Sequence, residues 1–264
     1  MPFTTTTPTP VYYEVAQPEA QNGSFETLIF AHGAGGNAGI WFNQLAHFGQ
    51  NYRAIAFDHP GFGRSPLPGN PLRVQRFRDD LLAIMDEQDI ERAHLVGQSM
   101  GGFTVLRTTL DAPDRVRSLT LSATSGGIHN PEPPTDAARE LTTSDGRGTA
   151  AIKATMSAAT KNKPAMMQLY ESINNFNINF SWSNLSTLLN ADDVVQWEEL
   201  ANIKVRAQII TGAEDPLFPS STLAGFVPHF ADGHIEVVAD AGHSPYFERP
   251  EEFNRILAAH IAAA

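Results

Sequence analysis

The apolar positions of the chain follow two rhythms. Segments rich in apolar residues at 27–31, 52–57, 93–96, 117–121, 207–211 and 235–238, the first of them nearly continuous, are each about the length of one strand. Runs of that kind fit strands buried on both faces. A shorter run at 11–15, followed by a polar loop at 17–24, reads as an edge strand. Between the runs, apolar residues return every three or four positions. Over 73–88 they are Val74, Phe77, Leu81, Ile84 and Met85, which is helical spacing. Shorter helices are predicted over 41–48 and 103–110. The chain closes on a helix whose stripe is Phe253, Ile256, Leu257 and Ile261. Pro250 suits its first turn, and Glu251 and Glu252 complement the positive end of its dipole.

Alternation of strand and helix predicts βαβ units, a mostly parallel sheet and right-handed crossovers. Ligands in such sheets collect beyond the carboxyl ends of the strands. The rhythm breaks between residues 126 and 203, a stretch opened by Pro131, Pro133 and Pro134. Helical patterns appear there at 136–142, 149–160, 164–173 and 192–200, with no strand between them. The expectation is a helical cap (126–203) inserted after the sixth strand of an α/β core formed by 1–125 and 204–264. Its methionines and aromatics fit mostly a cap core, with some facing a ligand. Met156, Phe176 and Trp182 from the cap, with Gly33, Leu217 and Phe218 from the core, are the candidate pocket wall.

Composition narrows the function classes. At 264 residues, 42% of them hydrophobic, the chain can bury a large core. A formal net charge of −11 leaves no basic field to collect phosphates, so a nucleic-acid partner is not expected. The absence of cysteine excludes disulfides, a thiol nucleophile and thiolate metal sites. Residues 1–10 are rich in threonine and proline without an apolar run, and no stretch approaches the ~18 apolar residues of a membrane span. A cytoplasmic chain acting on a small molecule, without a membrane or nucleic-acid partner, is the expectation.

The chemistry sits at strand ends. Gly97-Gln98-Ser99-Met100-Gly101-Gly102 follows the run at 93–96 and opens a helical pattern. This is the G-x-S-x-G pattern of a nucleophile elbow, whose tight turn leaves no room for side chains two before and two after the serine. A serine nucleophile needs a base, and the base an orienting acid. Of nine histidines, His243 follows the last strand, in Ala241-Gly242-His243-Ser244-Pro245. Asp215 follows the strand before it, between Glu214 and Pro216, and is preferred as the acid over Asp240, Glu214 and Asp58. The order Ser99, Asp215, His243 is the one used with such elbows. An oxyanion hole needs two fixed N–H donors. Met100, at a helix start, supplies one, and Ala34, in His32-Gly33-Ala34-Gly35-Gly36, the other. The spacing of that glycine loop does not match a dinucleotide fingerprint. His32 is read as a prop for the loop and His59 as part of the turn after Asp58. No metal and no organic cofactor is called for.

Five segments in register resemble the α/β-hydrolase superfamily, especially its small esterase and lactonase branch. They are His32–Gly36, Asp58-His59-Pro60-Gly61-Phe62-Gly63-Arg64-Ser65, the elbow at 97–102, Gly212-Ala213-Glu214-Asp215, and Gly242-His243-Ser244-Pro245. Together they cover residues 11–262, apart from the cap. The resemblance implies a central sheet of about eight strands with helices on both faces. It also implies Ser99, Asp215 and His243 as nucleophile, acid and base, agreeing with the residue-level reading. Carbon–carbon bond hydrolases of that superfamily usually carry a proline in the glycine loop and a tryptophan after the histidine. Here the loop has no proline and Ser244 follows His243, which favours ester or lactone hydrolysis. Carbon–carbon, thioester or amide cleavage, a cofactor-free lyase and a non-catalytic ligand receptor are the alternatives.

Overall fold

The computed structural model describes residues 2–19, 25–69, 71–143, 153–180, 188 and 193–264. Along the chain run β1 (Tyr13–Ala16), β2 (Thr27–Ala31), a 3-10 turn at Ala38–Trp41, α1 (Phe42–Phe48), β3 (Arg53–Phe57), α2 (Val74–Glu87), β4 (Ala93–Gln98), α3 (Met100–Asp111) and β5 (Val116–Ser122). The described part of the insertion holds α4 (Asp136–Thr143), α5 (Ala158–Lys161), α6 (Pro164–Asn174) and α7 (Trp197–Leu200). The chain then returns to β6 (Arg206–Gly212), α8 (Ser220–Ala224), β7 (Gly233–Val238), α9 (Pro245–Glu248) and α10 (Pro250–Ala262).

The strands form one sheet in the order β1-β3-β2-β4-β5-β6-β7. β1 is antiparallel to β3, and every other pair is parallel. Two expectations are corrected here. Among the described residues the sheet has seven strands rather than about eight, and the insertion follows the fifth of them rather than the sixth. The threonine- and proline-rich start explains the first difference. Pro8 and Pro10 carry no N–H for a ladder, and this segment makes only an isolated antiparallel bridge, Phe3 to Tyr12. Between β5 and β6 the described residues form one isolated bridge, Ile128 to Val195, and no strand. The patterns at 149–160 and 192–200 are described only from residues 153 and 193 onward.

Strand residues alternate between the two faces, as the pleat requires. Ile29 and Ala31 of β2 and Ile55 and Phe57 of β3 join one apolar cluster with Leu81 and Ile84 of α2 and Val105 and Leu106 of α3. Leu28, Phe30, Ala54 and Ala56 point the other way, into a cluster with Trp41, Phe48 and, from α10, Phe253 and Leu257. Every residue of β2 is buried, which is why its run is apolar without interruption. Met167 and Tyr170 of α6 also enter the second cluster, so the insertion shares the core of that face.

This strand order positions the site. From β2 the chain steps outward to β3, then crosses back so that β4 pairs with β2 on its other edge. The loops after β2 and β4 therefore part at a topological switch point, the usual place for a ligand crevice. They are the glycine loop at 32–36 and the elbow at Ser99.

Candidate active site

Ser99 stands between the end of β4 and the start of α3 with φ 49° and ψ −116°. A non-glycine residue there is strained by roughly 1–3 kcal/mol, so its surroundings must hold it. Three hydrogen bonds do so. Its N–H donates to the Ser122 carbonyl of β5 at 3.0 Å. Its carbonyl accepts from the Gly102 N–H at 2.9 Å and from the Thr124 hydroxyl at 2.8 Å. The two elbow glycines are enforced by contact. A Cβ on Gly97 would fall 2.3 Å from the Gly101 carbonyl oxygen, and one on Gly101 2.1 Å from that of Ala31.

The candidate acid and base lie on adjacent loops. Asp215 follows β6 and His243 follows β7, and these strands pair in parallel. Asp215 Oδ2 accepts from His243 Nδ1 at 3.0 Å, with both residues buried. The other carboxylate oxygen, Oδ1, accepts the N–H groups of Leu217 (2.9 Å) and Phe218 (3.2 Å), which fixes the carboxylate plane. With Nδ1 committed to the carboxylate as a donor, Nε2 is the nitrogen left to act as a base. The rival acids are engaged elsewhere. Glu214 accepts the Ala158 N–H at the start of α5, and Asp240 pairs with Arg249 at 3.7 Å. Asp58 accepts the N–H groups of Ala38 (2.6 Å) and Arg64 (2.7 Å). Burial raises its pKa to about 6, against the pull of those two N–H groups.

Gln98 joins the candidate nucleophile to the candidate base. Its side-chain amide donates to the His243 carbonyl at 3.0 Å, so the residue before Ser99 touches the base's own backbone. Glu248 secures the histidine loop from behind. One carboxylate oxygen accepts the N–H groups of Gly242 (2.9 Å) and Ser244 (3.1 Å), which flank His243. The other oxygen accepts the Ser157 N–H of the insertion at 2.8 Å. The His243 N–H itself donates to Thr155 at 2.9 Å. Sequence reasoning missed Gln98 and Glu248. Both bond to backbone groups, and a bond to backbone leaves no pattern in side-chain spacing.

The glycine loop abuts the elbow. A Cβ on Gly33 would fall 3.0 Å from Ser99 Cβ and 2.0 Å from Gln98 Oε1, so a side chain there would displace the Gln98 amide. The Gly33 carbonyl accepts from Gly36 N–H (3.0 Å) and from His32 Nδ1 (2.8 Å). A carbonyl can only accept, so His32 carries its proton on Nδ1 and takes the His59 N–H on Nε2 at 3.0 Å. His59 Nε2 lies 2.8 Å from the Thr104 hydroxyl. Burial pushes His32 down to about 4 and His59 well below its ordinary value, so both rings are neutral. His32 is the prop the sequence suggested, and His59 is the strut behind it. Met100 opens α3, so its N–H has no carbonyl one turn earlier to bond within the helix. Ala34 sits in the tight turn that the Gly33 bonds close.

The candidate wall residues divide. Phe218 lies parallel to the His243 ring, with centroids 5.9 Å apart, and Leu217 is buried beside it. Gly33 adjoins Ser99. Met156 is instead packed into the apolar cluster of the second face, while its backbone leans on Gly242. Phe176 is corrected more sharply: it is 70% exposed, and its neighbour Ile178 is 84% exposed. Beyond α6 the chain runs as turns rather than helix, and helical spacing no longer decides which side chains turn inward. Trp182 lies outside the described residues.

A parallel sheet carrying a strained serine at a strand-to-helix turn, with an aspartate–histidine pair on its later strand ends, defines a class. The chain belongs to the alpha/beta hydrolase family, whose profile matches residues 28–256. Among curated relatives, 3-oxoadipate enol-lactonase 2 of Acinetobacter baylyi is 27% identical, with 88% of this chain and 87% of the relative covered. A 2-hydroxy-6-oxo-6-phenylhexa-2,4-dienoate hydrolase of Comamonas testosteroni is 28% identical over 89% and 87%. A dihydrolipoyllysine-residue acetyltransferase component of an acetoin cleaving system from Cupriavidus necator is 27% identical over 91% of this chain. The chain spans only 65% of the length of that last relative. Among solved structures, the enol-lactonase from Burkholderia xenovorans LB400 superposes with a TM-score of 0.82 at 22% identity, covering 99% of this chain and 100% of that one. Among the described residues, no helix is long and apolar enough to cross a membrane.

Proposed function

We propose that the protein is a serine hydrolase cleaving a carboxylic ester or lactone of a small molecule. The observation that carries this reading is the Asp215–His243 hydrogen bond, tied through Gln98 to the elbow that holds Ser99 in strained geometry. Ser99 Oγ attacks the carbonyl carbon while His243 Nε2 takes its proton. The N–H groups of Ala34 and Met100 receive the oxyanion, and removing one such donor typically costs ~10²–10³ in turnover. His243 then protonates the leaving alkoxide, which in a lactone stays tethered to the acyl group. Water deprotonated by the same ring frees the acid. The residues between β5 and β6 act as the cap, and Leu217 and Phe218 contribute wall beside the base.

Carbon–carbon bond hydrolysis is the second reading, supported by the 28% identical dienoate hydrolase. The residue after His243 bears on it. Ser244 is buried, with its hydroxyl 3.1 Å from that of Tyr170, where the carbon–carbon branch usually carries tryptophan. A panel of acetyl to octanoyl aryl esters, lactones and vinylogous diketones, assayed with the wild type and Ser99→Ala, separates the readings. Turnover of esters or lactones, reduced at least 10³-fold by Ser99→Ala, is the expected result. Turnover confined to diketones moves the assignment to the second reading. Ester hydrolysis that survives Ser99→Ala overturns the nucleophile.

A further inference from the structure

The insertion reaches the glycine loop through one side chain. Asn177 lies three residues beyond α6, between the exposed Phe176 and Ile178, yet its own amide turns inward. Its Nδ2 donates to the Gly35 carbonyl at 2.5 Å, and its Oδ1 accepts the Gly63 N–H at 2.7 Å. One amide thus joins the loop carrying Ala34 to the turn after Asp58. A second amide braces the first: Asn37 Nδ2 donates to the Ile173 carbonyl at 2.8 Å and approaches Asn177 Oδ1 at 3.4 Å. Apolar contact runs alongside. Phe180 stacks on Phe62 with centroids 4.4 Å apart, and Phe62 shares an apolar cluster with Met100, against which Ala34 and Phe180 also pack.

The chemistry of these partners is demanding. A carbonyl can only accept and a backbone N–H can only donate, so the bridging side chain must offer one donor and one acceptor. Asparagine does so, leucine offers neither, and aspartate keeps only the acceptor. On the core side the loop is anchored by His32 through the Gly33 carbonyl, and Gly35, at φ 84°, is the point where the insertion grips it. Ala34 lies between these two anchors.

We propose that Asn177 is a positioning residue that latches the insertion onto the glycine loop and thereby sets the Ala34 oxyanion donor. The inference rests on the hydrolase reading above. It makes the oxyanion hole complete only while the insertion is seated, so transition-state stabilisation depends on a residue that need not touch substrate.

The test compares wild type, Asn177→Leu, Asn177→Asp and Phe176→Ala on 4-nitrophenyl acetate, with thermal unfolding as the folding control. A displaced donor weakens the transition state and not ground-state binding. The expected result for Asn177→Leu is a kcat about tenfold lower, a fraction of the ~10²–10³ that follows complete loss of a donor, with KM changed less than about twofold. Affinity for a phenylboronic acid, which forms a tetrahedral adduct on the serine, should fall by the same factor. Asn177→Asp, which loses the Gly35 bond, should behave like Asn177→Leu and serves in its place if the leucine variant does not fold. Phe176→Ala should match wild type. A folded Asn177→Leu or Asn177→Asp with kcat within twofold of wild type overturns the latch. So does a loss confined to KM. A wild type inactive on every ester and lactone overturns the hydrolase reading instead, and the latch falls with it.

Discussion

Three residues carry the proposed chemistry, and five others hold them in place. Ser99 occupies a backbone conformation that its own side chain disfavours, and the bonds from Ser122, Gly102 and Thr124 offset that strain. His243 owes its tautomer to Asp215 and the position of its backbone to Gln98 and Glu248. Glu248 is the most exacting of these, since one carboxylate collects three N–H groups, two from the histidine loop and one from the insertion. Glu248→Gln replaces one acceptor oxygen with a donor that faces an N–H group, leaving at least one buried donor unpaired at a cost of about 1–3 kcal/mol. For a chain of this size the thermal midpoint should fall by roughly 3–10 °C, measured by calorimetry. An unchanged midpoint would mean that the carboxylate does not hold the loop. The proposed triad stands out in the sequence because each member follows a strand segment and keeps chain order. Glu248 and Asn177 do not, because the groups they hold are backbone N–H and carbonyl groups, which leave no mark in the spacing of side chains.

At the scale of elements, legibility followed burial. β2 and β3 are buried on both faces except at Arg53, and their apolar runs marked their positions to within a residue. α2 showed its stripe because one face is buried and the other wet. β7 opens with Gly233 and His234, which are not apolar, so its run marked only its last four residues, from Ile235. The edge strand β1 was placed two residues early. Val11 is fully buried and reads as strand, but its N–H goes to the Thr4 hydroxyl rather than into the ladder. The insertion was least legible. α6 was placed well because Pro164 opens it and Met167 and Tyr170 face the core, whereas the turns after it carry Phe176 and Ile178 outward and Asn177 inward. A hydrophobic pattern predicts which face is buried only while a helix or strand repeats it.

For the whole molecule, buried titratable groups set the response to acid. Burial holds His32 and His94 down to about 4 and His260 down to about 3, with His59 well below its ordinary value. Between about pH 4 and 6.5 these rings stay neutral in the folded state and take protons once unfolded, so their contribution to stability is lost as pH falls. Asp58 and Asp80 oppose them. Burial raises these carboxyls to about 6 and about 7, so the folded state holds their protons more tightly and gains as pH falls. Four histidines outweigh two aspartates. Near pH 5 the unfolded chain binds about two more protons than the folded one, a slope of roughly 2–3 kcal/mol per pH unit. Chemical denaturation should therefore give a lower midpoint at pH 5 than at pH 7, and an equal or higher midpoint would contradict this balance.

The same sheet that buries those histidines brings Ser99, Asp215 and His243 to one rim, where Ser99 is the proposed activated oxygen. Covalent labelling by a fluorophosphonate, followed by peptide mapping, tests that most directly. One adduct per chain is predicted, on Ser99, absent from Ser99→Ala and formed at least 10²-fold more slowly in His243→Ala. A label on any other residue, or equal labelling of Ser99→Ala, would contradict it.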